Sequence, residues 1–225
     1  MQAIKPIRDL NDISPTSRPG IHKRWPAKNA LEYELLHDYL KKVAYSIFDF
    51  NNTIADGFTC DRKDTVYLIT AADWIEQAVK QIPSCFLDNV IEIFAFSKKE
   101  QLAQYRKYFR ALRSFVLAHP LNTNQHKQYG LDGNYICIDI GPKGSITDYW
   151  RTGFYRITPQ KFEPVDCLLS YDVVLSVYSK ADGAELFQHI GFDMTDVRDM
   201  AALCIDYLYE LDRHISRLKR KDFQL

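Results

Sequence analysis

Arg113 and His119, in the stretch RSFVLAHPLNTNQH (113–126), are the residues whose types and spacing could do chemistry. A guanidinium is a planar donor fork of fixed charge, suited to a phosphate. An imidazole exchanges a proton near neutral pH and serves as a general acid or base. Pro120 pushes the residue before it away from helical geometry, so His119 is expected at a helix C-terminus, where unpaired carbonyls favour the imidazolium. Arg113 would lie about 9 Å back along the axis and roughly 120° around it. That separation is wide for one compact site, and a second copy of the same helix across a two-fold axis would close it. A plainer reading makes Arg113 a solvated complement to the helix end and His119 a core imidazole satisfying a carbonyl.

The element that must position the pair is the fourth of a series of helices. Leu102, Tyr105, Phe109, Leu112 and Val116 form its apolar stripe, with Arg106, Arg110 and Arg113 on a neighbouring strip. Ser97 is its expected N-cap, with Glu100 in the capping-box position. Earlier helices are expected from Lys28 to the NNTIADGF stretch, over Thr65–Ile82 and over Ser84–Phe96. A last helix opens at Asp193 or Thr195 and carries an apolar face from Val197 to Leu218. Between them, 134–180 changes period: YICIDI, WRTGFYRI and YDVVLSVYS read as three antiparallel strands. Residues 1–27 hold four prolines and read as an extended arm, laid over the domain or reaching to a second subunit. The expected fold is therefore mainly α: a helical bundle over 28–225, with a small three-stranded insertion at 134–180 before the last helix.

Composition narrows the function classes. The 225 residues carry 29 basic and 29 acidic side chains, so any basic surface is local, and broad electrostatic coating of nucleic acid is disfavoured. The cysteines, Cys60, Cys85, Cys137, Cys167 and Cys204, lack zinc-ligand spacing and read as buried free thiols of a reducing compartment. Neither an apolar signal core nor a membrane-length apolar run is evident. A cytoplasmic protein without metal, cofactor or membrane partner is expected. Tyr149, Trp150, Arg151, Tyr155 and Arg156 interleave aromatics with cations, as base-stacking sheets do, and so do ordinary half-buried strands.

On Arg113, the polar Ser114 after it, and His119 near the end of a core helix, the chain resembles the HEPN superfamily (higher eukaryotes and prokaryotes nucleotide-binding). The resemblance covers the helical part and not the β-rich stretch. Leu121 stands where one toxin branch has a tyrosine. The resemblance implies a metal-independent endoribonuclease, often a toxin or antiviral effector, with a composite site at a homodimer interface. Arg113 and His119 would be catalytic, Ser114 and Asn122 supporting. Arg106, Arg110, His126 and Lys127 are candidate RNA contacts, and a cognate inhibitor protein belongs among the partners. The alternative is a non-catalytic helical protein that binds a protein or nucleotide.

Overall fold

The computed structural model describes residues 3–13, 25–117, 134–142, 153–168, 170–181 and 184–218. The chain is mostly helical, with a five-stranded mixed sheet preceding the last helix. Helix α1 spans Ala30–Ala55 and starts where the Asn29 side chain accepts from the Glu32 amide. It ends before Gly57, whose φ of +95° suits a residue without Cβ. Helix α2 spans Arg62–Gln81 under an Asp61 cap that accepts from the Asp64 amide. Pro83 follows in a 3₁₀ turn, Ile82–Cys85. The helix expected over Ser84–Phe96 is therefore only this turn and a five-residue helix, α3, at Asp88–Glu92.

Helix α4 spans Lys99–Val116 and buries its expected stripe, Leu102, Tyr105, Phe109, Leu112 and Val116. Ser97 does not cap it. Lys98 is the cap residue, and the Ser97 amide and hydroxyl both donate to the Glu210 carboxylate instead. A tertiary acceptor outcompetes the local box because Glu210 is ionised and sits on the neighbouring last helix. That helix, α5, spans Met194–Arg217 and packs on α2 and α4.

The sheet departs from the three expected strands. Its strands are β1 (Asn134–Pro142), β2 (Gly153–Ile157), β3 (Phe162–Pro164), β4 (Val173–Ala181) and β5 (Ala184–Phe192), in the order β1-β4-β5-β2-β3. All pairs are antiparallel except β2 with β5, so the sheet is mixed and extends beyond 180 to Phe192. β5, the AELFQHIGF run, lies beyond the expected insertion, although Asp182-Gly183 between two alternating runs is a strong hairpin signal. Val173, Leu175 and Val177 on one face of β4 join Ile190 and Phe192 of β5 in the same core as the helices. Leu168, Tyr171 and Val174 form a small second cluster.

The described part of the arm lies on its own domain. Ile7, Leu10 and Ile13 are each 2% exposed and belong to the main core. The Ile7 amide and carbonyl both pair with the Asn51 side chain, and Arg198 donates to the carbonyls of Lys5 and Pro6.

Candidate functional site

Arg113 does not enter the core. It lies at the edge of α4 and its Nη1 donates to both carboxylate oxygens of Asp73 on α2, at 2.9 and 3.1 Å. Its side chain is 35% exposed against 16% for Asp73. One amino group thus spans the carboxylate. Among the described residues, Nη2 and Nε of Arg113 make no hydrogen bond. Two turns back, Arg106 Nε stands 3.1 Å from Oε1 of the buried Glu76. The contact is an ion pair without good hydrogen-bond direction at Nε.

These two pairs bridge α2 and α4 beneath a polar cleft of about 410 Å³. Among the described residues its charged lining is Lys80, Arg106, Arg110 and Arg113 against Asp73 and Glu76, a local excess of two cations. Such an excess on a neutral protein is the local basic surface that anion binding needs. Arg110 is exposed on the cleft wall. Ser114 is buried, donates to the Ala111 carbonyl at 2.9 Å, and does not line the cleft. His119, Asn122, His126 and Lys127 lie outside the described residues. The helix itself ends at Val116, capped at Leu117, three residues before His119.

A second groove adjoins the first and shares Arg106 and Arg110 with it. It occupies about 630 Å³ between α3, α4 and α5. Phe94, Phe96 and Tyr207 supply aromatic surface; Lys99 and Lys107 add cations. The sequence reading missed it, although Lys99, Ala103, Arg106, Lys107 and Arg110 recur on one helical face.

Tyr149, Trp150 and Arg151 lie outside the described residues; the other candidates resolve into structural roles. Arg62 pairs with Asp139, and that hydrogen bond holds the Asp139 carboxyl below its ordinary range. Tyr155 stacks on Phe162 at 4.9 Å and Arg156 pairs with Glu163, as half-buried strands do. Cys60, Cys85 and Cys204 are buried, whereas Cys137 is only partly so and Cys167 is exposed, so the expectation of uniformly buried thiols fails. Burial pushes the thiols up to about 11 at Cys85 and about 12 at Cys137 and Cys204, far from the thiolate form that does chemistry. Among the described residues, no group of three or more His, Cys, Asp or Glu could hold a metal ion. No described helix is long and apolar enough to cross a membrane.

The chain matches no protein-family model, no curated protein and no solved structure.

Proposed function

We propose that the protein is a metal-independent endoribonuclease of HEPN type, with Arg113 and His119 as the catalytic pair. The observation that carries this reading is the placement of Arg113. Its guanidinium faces a solvent-accessible cleft with a surplus of cations, anchored through one amino group, and no other described residue takes the rest of the fork, which suits a phosphate. The RNA 2′-OH would attack the adjacent phosphorus and expel the 5′-oxygen, leaving a 2′,3′-cyclic phosphate and a 5′-hydroxyl. His119, from one or both subunits of a homodimer, moves protons to and from those oxygens. Arg113 holds the phosphate and stabilises its developing charge.

The C-terminal half of α4 buries Tyr108, Phe109, Ala111, Leu112, Phe115 and Val116 inside its own protomer. The Arg106–Arg110–Arg113 edge is then the part of α4 that a second copy can meet. In this reading the enzyme acts in the cytoplasm as a toxin or defence effector, with a cognate inhibitor as its protein partner.

The test is cleavage of a fluorogenic RNA in the presence of EDTA. Wild type should cut, and His119→Ala should lose about 10²–10⁴-fold while remaining folded. Cleavage that needs a metal and survives His119→Ala sinks the assignment. A second reading, a non-catalytic binding protein, is favoured by the Arg113–Asp73 and Arg106–Glu76 pairs, which serve α2–α4 packing without any chemistry. It predicts a folded protein with no cleavage to lose.

A further inference from the structure

The groove beside the Arg113 cleft has an apolar floor and a cationic rim. Phe94 and Phe96 each meet Tyr207 edge to face, with centroids 5.3 Å apart in both pairs. Tyr207 is therefore fixed between two rings, and the groove presents rigid aromatic surface. Along α4, Lys99, Arg106, Lys107 and Arg110 line the same groove, with Ala103 leaving a gap among them. Among the described residues, no carboxylate lines it. Arg106 is partly neutralised by Glu76 from behind; Lys99 and Arg110 add charge to the rim beside Lys107.

We infer that this groove is a subsite for single-stranded RNA, holding an unpaired base against Phe94, Phe96 and Tyr207 while the α4 cations follow the backbone toward Arg113. The inference rests on the nuclease reading for its substrate class and adds where, and in what form, the strand lies. Charge complementarity selects the occupant. A groove whose described lining holds four cations and no carboxylate suits a polyanion, and aromatic surface suits a ligand with a π-face at each unit. Continuity selects it again, because Arg106 and Arg110 belong to both clefts. From Lys99 to Arg113 the helix rises about 21 Å, long enough for several nucleotides. A duplex keeps its bases stacked inside and cannot offer one to the groove.

Ala103 is exposed on α4, so substitutions there leave the core alone. Ala103→Trp fills the gap and Ala103→Glu places a carboxylate among the cations. The probe is a short fluorescein-labelled 2′-O-methyl RNA, which cannot undergo 2′-OH attack and so reports binding separately from cleavage. Both variants should melt with the wild type and bind the single strand about 5- to 150-fold more weakly, the range of one lost base stack. Affinity for a duplex of the same sequence should be weaker than for the single strand and unchanged by Ala103→Trp. In Lys99→Ala, the slope of log affinity against log salt should fall by about 0.7, the value for one cation on a single strand.

Unchanged single-strand affinity in folded Ala103→Trp and Ala103→Glu overturns the subsite. So does a duplex, or an acidic peptide, that competes as well as the single strand. Groove-dependent binding by a wild type that cleaves no RNA keeps the subsite and removes the nuclease. Cleavage with unaltered KM in Ala103→Trp does the reverse.

Discussion

Removing the Arg113 guanidinium separates its two roles. At 2.9 Å from Asp73 and an effective dielectric of about 20, the gross attraction is about 6 kcal/mol. Desolvation of both groups opposes it, and with a third of the Arg113 side chain exposed solvent screens much of the rest. A coupling of about 1–2 kcal/mol remains. For a chain of this length that corresponds to roughly 2–8 °C in Tm for Arg113→Ala. Asp73→Asn should lose a similar amount, and the double variant should fall short of the sum, as a double-mutant cycle requires. Activity should divide the two singles. Arg113→Ala loses its phosphate fork and should cut RNA at least about 100-fold more slowly. Asp73→Asn removes only the competing carboxylate, so cleavage persists and RNA affinity rises. Melting by fluorimetry and cleavage of a fluorogenic RNA read both quantities on the same samples. An Arg113→Ala protein that cuts at the wild-type rate refutes the assignment of Arg113 as phosphate holder, and an Asp73→Asn protein that is folded but inactive refutes that of Asp73 as a mere competitor for its guanidinium.

Asp196, in the first turn of α5, is pushed up to about 7 by burial and by Asp193 and Asp199. The opposing helix-end field, about 0.3–1 kcal/mol, is too small to reverse this. Its folded pKa stands above its unfolded one, so the unfolded state sheds that proton first and stability falls as pH rises from about 4 through 7. Asp196→Asn should raise Tm at pH 8 and leave it unchanged near pH 4; equal shifts at both would exclude the linkage. Gly191 faces the Tyr171 ring so closely that a Cβ would lie 2.6 Å from Cδ2. Gly191→Ala should cost about 1–3 kcal/mol by overpacking, seen as a lower urea midpoint with the same m-value, and an unshifted midpoint would show that the ring yields freely.

The stripe of α4 was legible because a helix repeats its face every three or four residues, and Leu102 through Val116 do so without interruption. The edge shared by Arg106, Arg110 and Arg113 was legible for the same reason. Their counter-charges were not. Asp73 lies 40 residues away, and nothing local to either residue announces the pairing. The strand count falls short at β3, three residues ending in Pro164 and too few to show alternation, and at β5, which pairs antiparallel with β4 and parallel with a β2 contributed from much earlier in the chain. Ser97 shows the converse failure: a local capping pattern was present, and a carboxylate 113 residues away took the donors.

The arm's attachment to α5 has a consequence for the order of events during synthesis. Ile7, Leu10 and Ile13 are made well before Arg198 and Tyr209, which hold this segment through the carbonyls of Lys5, Pro6 and Asp9. Trp25 likewise waits for Asp212. The core therefore cannot close before α5 is made, and the nascent chain carries α1, α2 and α4 with their apolar faces uncovered until α5 emerges. Such a chain folds through long-range contacts, which form slowly, and depends on something to shield those faces meanwhile. A ribosome stalled before Met194 would hold a species that exposes the surfaces the finished molecule hides.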